Sequence, residues 1–158
     1  MVGILEPGEI EELLSGNVVG RLGCHANGRT YVVPMSYAYE DGCVYGHAQE
    51  GLKIDMMRQN PEVCFEADKL KEMSNWKSVI AWGKFEEIKD TEERNKALQI
   101  LVKRRVPSLV SDTLKLSDDW PFNTKELEAV SGIVFKICLE EKTGRFELAS
   151  TNSVSYKT

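Results

Sequence analysis

The chain is organised mainly by apolar and polar residues that alternate with a period of two, which is typical of half-buried β-strands. Turn dipeptides and polar segments separate the apolar stretches. The predicted strands are, in chain order, 18–25, 30–39, 43–48, 63–68, 78–88, 131–141 and 145–150. We expect the first three to form a meander through turns at 26–29 and 40–42, and the last two to form a closing hairpin through a turn at 142–144.

Three segments carry helical signals between these strands. A helix is predicted over 7–16, because a proline stands at its start and a glycine at its end. A short helix begins near residue 50 or 51 and stops at Asn60-Pro61, and Asp90 caps a third helix over 91–105. The apolar residues expected to face the core are Ile10, Leu13, Leu14, Ile54, Met57, Ala97, Leu98, Leu101 and Val102.

Strands joined mainly by hairpins, with helices inserted between them, predict a mainly β fold built as an antiparallel barrel or sandwich. A length of 158 residues favours one domain over 1–158. Residues 105–130 show no clear pattern, although Trp120-Pro121-Phe122 would suit an anchored loop. The last residues, 151–158, are expected to be loose.

Composition and charge exclude several classes of function. The formal net charge is −5 and the sequence has no basic stripe, which argues against a general nucleic-acid binder. No apolar run approaches the roughly 18 residues that a membrane span needs. The first residues, MVGILEPGEIEELL, lack the basic start and long apolar segment of a signal peptide, so we expect a cytoplasmic protein.

The cysteines and histidines give no metal-binding pattern. Cys24, Cys43, Cys64 and Cys138 include no C-x-x-C spacing, and the chain has only 2 histidines. We therefore expect no metal site. All four cysteines fall in apolar strand-like runs, so they are predicted to be reduced thiols in a cytoplasmic protein.

Lys53 stands in the first turn of the predicted short helix, where the helix macrodipole already places positive charge. A phosphate lying between the helix start and the ammonium group would make this position favourable. Gly51 would let the backbone approach such an anion closely. The alternative is a solvated surface lysine. His47, 6 residues earlier, could contact the same ligand or have a purely structural role.

The predicted strand 30–39 has two unlike faces. Pro34 removes a backbone donor in mid-strand, so the strand should lie at an edge or bulge there. An interrupted strand with small side chains on one face could present free backbone groups to a flat ligand with polar edges. Alternatively, Pro34 protects an edge strand against aggregation. Alternation places Tyr31, Val33, Met35, Tyr37 and Tyr39 on one face, and Val32, Pro34, Ser36 and Ala38 on the other.

The same alternation along 78–88 sends Ser78, Ile80, Trp82 and Lys84 to one face. Ser78 could bond the edge of a ligand or cap the turn before the strand. The tryptophans Trp76 and Trp82 suit a core or interface better than stacking on a cofactor.

Taken in order, several segments resemble the FMN-binding split-barrel superfamily, to which pyridoxamine phosphate oxidase belongs. They are most similar to the small flavoproteins of its nitroimidazole-resistance group. The similarity extends from about Gly20 to Ile88, is looser over 131–150 and is weak over 105–130. The segments that carry it are GRL, GRTYVVPMSY, DGCVYGH, GLK, NPEVCF and SVIAWGK.

This resemblance implies a split antiparallel β-barrel that forms a homodimer, with FMN sites at the subunit interface. It implies that the strand 33–37 lies along the isoalloxazine ring and that Lys53 binds the FMN phosphate. It places His47 beside the flavin, near the reacting centre, and has Ser78 bond the flavin from a later strand. The cofactor-binding residues that it implies are Val33, Pro34, Met35, Ser36, Tyr37, Gly46, His47, Gly51, Leu52, Lys53 and Ser78.

The sequence also departs from the oxidase pattern. Where that enzyme has serine, arginine and lysine for the phosphate, this chain has Gly51-Leu52-Lys53, and 145–158 has no counterpart of its substrate segment. We therefore predict an FMN-dependent oxidoreductase that reduces a small electron-poor substrate of the nitro type. His47 is predicted to be catalytic, as a proton donor or as a contact to the substrate. The alternatives are a non-catalytic flavin-binding or sensing protein, a haem- or deazaflavin-binding relative, and a plain structural β-domain.

Overall fold

The structure, a computed structural model, describes residues 1–104, 127 and 129–149, and the predictions for Trp120-Pro121-Phe122 and for the last residues lie outside this part. The helices are α1 (Pro7–Gly16), α2 (Leu52–Gln59) and α3 (Thr91–Lys103). The strands are β1 (Val2–Ile4), β2 (Val19–Ala26), β3 (Arg29–Ser36), β4 (Ala38–Glu40), β5 (Cys43–Ala48), β6 (Glu62–Glu72), β7 (Asn75–Glu87) and β8 (Ile133–Leu148).

The strands form one antiparallel sheet that curves into a barrel. Its order is β3-β2-β6-β7-β8-β5-β4, with β1 added on β8. The two ends of this order, β3 and β4, are separated along the chain by Tyr37 alone, so the two sheet edges meet there. Tyr37 is fully buried, its N–H donates to Val18 O and its hydroxyl donates to Leu14 O at 2.7 Å. The predicted split β-barrel is confirmed.

The predicted three-strand meander forms at both of its turns, but its middle strand is not continuous. The first hairpin forms as expected, because Asn27 and Gly28 adopt the positive φ angles of its tight turn. After β3, however, the chain crosses at Tyr37 to the opposite edge of the sheet. The strand β5 therefore pairs with β4 and β8 and not with β3.

The predicted closing hairpin is also wrong, because β8 runs without a turn through residues 142–144. It pairs with β7 along its length, from Asn75↔Leu148 to Glu87↔Phe135, with one bulge opposite Trp82 and Gly83. The glycine that suggested a turn, Gly144, is needed for packing. A Cβ atom there would lie 2.8 Å from Leu5 Cβ and 2.9 Å from Ile10 Cγ1.

The helices close the ends of the barrel with the apolar faces that the sequence predicted. α1 and α2 pack on one core cluster, and α3 packs on a second cluster with β4 and β8. The cap of α3 is confirmed, since Asp90 Oδ2 accepts a hydrogen bond from Glu93 N at 3.0 Å. Val102 is only partly buried, unlike the other residues predicted for the core face of α3. Among the described residues, no helix is long and apolar enough to cross a membrane.

Two of the four predicted thiols form a disulfide. Cys43 on β5 lies directly opposite Cys138 on β8, with a Cα–Cα distance of 4.0 Å, and the two sulfur atoms are bonded. Cys24 and Cys64 are free. The prediction of four reduced cysteines is therefore wrong for this pair. The error arose because β5 was not expected to pair with β8, which is the pairing that brings the two cysteines together.

Candidate functional site

The start of α2 is open, as an anion site requires. Gly51 precedes the helix in an extended conformation, and a Cβ atom added to it would meet nothing within 4 Å. Ile54 and Met57 are fully buried and hold the helix against the barrel. At the other end of α2, Asn27 Nδ2 donates to Gln59 Oε1 at 2.7 Å. The buried face and the contact at the C-terminal end hold α2 as a whole, and the unpaired amides of its first turn are held with it.

Lys53 lies in this first turn and is partly withdrawn from water. Burial lowers the pKa of its ammonium group, and only the nearby Cys24 thiol opposes this shift. Among the described residues, Lys53 forms no ion pair. A half-buried cation beside bare helix amides is a poor arrangement for the protein alone. It fits an anion such as a phosphate group.

His47 is held in one tautomer by the segment before β8. Its Nε2 lies 2.5 Å from Ser131 O, and because a carbonyl oxygen can only accept, Nε2 carries the proton. Burial lowers the pKa of His47, the bond to Ser131 opposes this, and the positive charges of Arg94, Arg104 and Lys53 lower it further. The neutral ring then leaves Nδ1 as a hydrogen-bond acceptor.

Two arginines that the sequence did not predict complete this cationic region. Arg94 Nη2 donates to Val130 O at 2.5 Å, which ties α3 to the segment beside His47. Arg104 Nη2 lies 3.5 Å from Ser36 Oγ, and burial lowers the pKa of Arg104 to about 10. No local sequence signal marks either residue, because both reach the site only through the packing of α3.

The strand predicted to lie along the flavin ring is an edge strand, as Pro34 suggested. β3 pairs with β2 only, and Pro34 stands opposite Arg21. The alternation is confirmed as far as Tyr37, since Met35 and Tyr37 are buried whereas Val32 and Pro34 are exposed. It fails at Ala38, which is buried in the second core cluster. The unpaired backbone edge of β3 is therefore available to a ligand or to another chain.

Gly46 has a packing role inside the barrel. A Cβ atom at Gly46 would lie 2.5 Å from Phe135 Cζ and 2.7 Å from Met35 Cε. Its lack of a side chain lets the Phe135 ring and the Met35 side chain pack against β5. Leu52, by contrast, is exposed beside Gly51 at the open start of α2.

Ser78 lies on the outer face of the barrel. Its hydroxyl group donates to Glu66 Oε1 at 3.2 Å, and the strand begins earlier, at Asn75, so the alternative role as a turn cap is wrong. The same face forms an outer groove of about 710 Å³. The groove is lined mainly by Arg21, Val32, Cys64, Glu66, Ile80 and Trp82. No contact among the described residues joins Ser78 to Lys53, so one chain does not bring these two predicted ligands together.

The chain matches one protein family over most of its length. Residues 6–146 match the family described as pyridoxamine 5'-phosphate oxidase. The chain belongs to the pyridoxamine 5'-phosphate oxidase family. The superfamily resemblance found in the sequence is thus confirmed.

Solved structures of similar proteins share the fold of this family member. A protein of Mesorhizobium loti described as FAD-binding is 34% identical, with a TM-score of 0.71, covering 95% of this chain and 99% of its own. A candidate 5-nitroimidazole antibiotic resistance protein of Bacteroides thetaiotaomicron is 23% identical, with a TM-score of 0.69, covering 92% and 87%. An uncharacterized protein of Rhizobium meliloti is 30% identical over 107 residues, which are 65% of this chain and 71% of that protein.

The neutral state of His47 has a measurable consequence for this family member. Because its pKa is lowered in the folded state, the unfolded chain takes up the proton first as pH falls below about 6.5. Wild-type stability should therefore be full above pH 6.5 and decline below it through this group. A His47→Gln variant should lose part of that decline when urea midpoints are compared between pH 8 and pH 5. The exposed His25→Gln is the matched control, and an unchanged acid slope in His47→Gln would contradict the assignment.

Proposed function

We propose that this protein is a flavin-dependent oxidoreductase that binds FMN through Lys53 and the start of α2. The observation that carries the proposal is the half-buried Lys53 ammonium group, which has no ion pair among the described residues and stands beside open helix amides. A phosphate dianion would supply the missing counter-charge. It would do so on a chain whose net charge is −5, so the attraction is local and specific.

The surroundings of Lys53 support the same ligand. Arg94, Arg104 and Lys53 are all close enough to His47 to lower its pKa, so this region has a positive potential. The open edge of β3 offers backbone groups to the polar edge of a flavin ring, and Ser36 lies on that strand. When bound, the flavin supplies the electron transfer, and the protein supplies position and electrostatics.

The identity of the flavin is a testable part of the proposal. The similar protein of Mesorhizobium loti is described as FAD-binding, which favours a flavin for this chain too. We choose FMN because the α2 start and Lys53 offer one compact anion site. The visible spectrum of the purified protein tests the proposal, and chromatography of the released cofactor separates FMN from FAD. A colourless protein that takes up neither would contradict it, and a spectrum with an intense violet band would point to haem.

We further propose a homodimer that uses the outer face of β2, β3, β6 and β7. The apolar side chains exposed on this face of the single chain include Val32 at 62%, Ile80 at 40% and Trp82 at 41%. Such a patch is typical of a covered surface. A second copy placed here could bring its Ser78 face towards a flavin held by Lys53. Light scattering of the purified protein tests this, and a monomer would contradict it.

His47 is proposed as the residue that contacts the substrate. Its Nε2–H bond to Ser131 fixes the ring, and the lowered pKa keeps it neutral, so Nδ1 can accept a hydrogen bond but the ring has no proton to spare at neutral pH. This favours the role of substrate contact over that of proton donor.

The substrate class that we propose is a small electron-poor molecule of the nitro type, reduced in the cytoplasm. Within the described residues, the Cys43–Cys138 disulfide argues against that compartment.

A His47→Ala variant should keep its flavin and lose most of its turnover. We expect a decrease of about 10-fold, the effect on the rate of losing one hydrogen bond that contributes about 1.4 kcal/mol. Turnover is measured with reduced nicotinamide and a nitroaromatic acceptor, after the flavin content is matched by absorbance. His25→Ala serves as the control. Full activity in His47→Ala would remove the proposed role and leave the flavin site untouched.

A further inference from the structure

Glu50 is an acidic side chain directly before the start of α2. It stands next to Gly51 and three residues before Lys53. A carboxylate is attracted both by the bare amides of a helix start and by an ammonium group. The space over Gly51 is open, since a Cβ atom added there would meet nothing within 4 Å. The chain therefore carries an anion of its own that could take the place of a phosphate group.

Arg58 holds this carboxylate away from the helix start. Its Nη1 donates to Glu50 Oε2 at 2.7 Å, and its Nη2 donates to Glu50 Oε1 at 3.0 Å. Two parallel hydrogen bonds of this kind make the strong form of an arginine–carboxylate contact. Arg58 lies in the last turn of α2, whereas Lys53 lies in the first. Both oxygen atoms of Glu50 are thus engaged at the end of the helix opposite to Lys53.

A second carboxylate holds Arg58 itself in position. Arg58 Nε and Nη2 donate to Glu87 Oε2 and Oε1, each at 3.0 Å. These hydrogen bonds hold the pKa of Glu87 below its usual value. The side chain of Glu87, at the end of β7, is 17% exposed, whereas that of Glu50 is 62% exposed. Glu87 is therefore the fixed partner, and Arg58 reaches out from it to restrain the more mobile Glu50.

Asp55, the other acidic residue within four positions of Lys53, does not need such a restraint. It lies two residues after Lys53 on the same helix, and side chains two residues apart point to different sides of a helix. Glu50 is therefore the acidic residue near Lys53 that is placed to pair with it.

We propose that Arg58 is a positioning residue for the anion site at the start of α2, which it keeps open by holding Glu50 away from Lys53. The inference rests on the proposed function, since it concerns the same site. Arginine suits this role because its planar group engages two carboxylates at once, which the compact ammonium group of a lysine does not match.

The first test is Arg58→Met, which keeps an unbranched stem and removes the guanidinium group. We expect FMN to bind about 5-fold more weakly, the upper range for an exposed ion pair, because the released Glu50 pairs with Lys53. Riboflavin has no phosphate group and should bind as it does to wild type. Adding Glu50→Gln to Arg58→Met should restore the affinity for FMN, and adding Asp55→Asn instead is the matched control that should not.

A second measurement needs no flavin. The rate at which acetic anhydride modifies Lys53, followed by mass spectrometry, reports whether its ammonium group is paired, because a nearby carboxylate raises the pKa of a lysine. Lys53 should react about 5-fold more slowly in Arg58→Met and at the wild-type rate when Glu50→Gln is added. Glu50→Gln alone should change neither this rate nor the affinity for FMN, because Glu50 is already withdrawn. This single variant leaves Arg58 bound to Glu87, and circular dichroism checks that every variant is folded.

Three results would overturn the inference. Equal weakening of FMN and riboflavin in Arg58→Met would show a role in the fold alone. Failure of Glu50→Gln to restore FMN binding would show that Glu50 does not compete with the phosphate. Tighter FMN binding by Glu50→Gln alone would show that Arg58 does not restrain Glu50 in wild type.

The outcomes also separate this inference from the proposed function. If the acetylation rates change as expected but FMN does not bind, the proposed function is wrong and the restraint of Glu50 by Arg58 stands. If Lys53→Met weakens FMN while Arg58→Met behaves as wild type in both measurements, the restraint is wrong and the proposed function stands.

Discussion

Replacing Lys53 with methionine is expected to weaken FMN binding by about 10- to 100-fold, because a hydrogen bond to a charged group contributes about 1.5–3 kcal/mol. Methionine keeps the unbranched stem that packs in the half-buried site and removes only the ammonium group. The remaining affinity would come from the amides of α2 and from contacts with the ring. The measurement is a titration of FMN fluorescence with wild type and with the variant.

Riboflavin is the internal control for this experiment, since it has the same ring and no phosphate. Its affinity should be equal in wild type and Lys53→Met. Lys96→Met removes a charge from the exposed side of α3, where Lys96 pairs with Glu92, and should leave FMN binding unchanged. If Lys53→Met weakens FMN and riboflavin equally, the lysine acts on the fold or the ring and not on the phosphate.

Replacing Gly83 with alanine is expected to destabilise the fold by about 3 kcal/mol, at the upper end of the usual cost of overpacking. A Cβ atom there would lie 2.3 Å from Cys138 O and 3.0 Å from Ile137 Cγ2. The carbonyl belongs to the backbone of β8, which is fixed by its pairing with β5 and β7, so it cannot move aside without breaking the ladder. Urea unfolding of wild type and variant measures the loss.

The matched control for Gly83→Ala is Gly8→Ala in α1, where an added Cβ meets nothing within 4 Å. That change should be neutral or should stabilise the helix by up to about 1 kcal/mol, because alanine has the higher helix propensity. Equal urea midpoints for wild type and Gly83→Ala would show that β7 and β8 do not approach each other as described at the bulge.

The sequence predicted the elements whose signals are local. The proline and glycine that bound α1, the stop at Asn60-Pro61 and the Asn27-Gly28 turn all act within a few residues of where they stand. Such signals can be read without knowing the rest of the fold. The edge position of β3 was predicted for the same reason, since Pro34 disfavours a central strand by its own chemistry.

The two errors in the strands both concern partners that are distant in sequence. In a sequence, a glycine such as Gly144 can indicate either a turn or a strand that a neighbouring side chain approaches closely. Only the position of Leu5 in the fold shows that the second is the case here. Likewise, no sequence signal near Tyr37 indicates that the chain crosses there from one edge strand of the sheet to the other. The disulfide was missed because its two cysteines are 95 residues apart and meet only through that change.

The residues of the candidate site also differ in whether a local sequence signal marks them. Lys53 and His47 were found because a cation at a helix start and a histidine at a strand end are unusual in their immediate surroundings. Arg94 and Arg104 were not found, because they reach the site only through the packing of α3, which is distant in sequence from His47 and Lys53. The pairing of Ser78 with Glu66 depends on the register of β6 and β7, which hydrophobic alternation leaves undetermined.

The central position of β8 has a consequence for how the protein is made. Three strands, β1, β5 and β7, pair with β8, which begins only at Ile133. While the ribosome is still translating the preceding residues, β2, β3, β6 and β7 can already pair with one another, but β7 keeps a bare edge and β1 has no partner. We therefore expect the nascent chain to expose the unpaired backbone groups of β7 until β8 is synthesised. A chaperone would protect this edge from aggregation during that time.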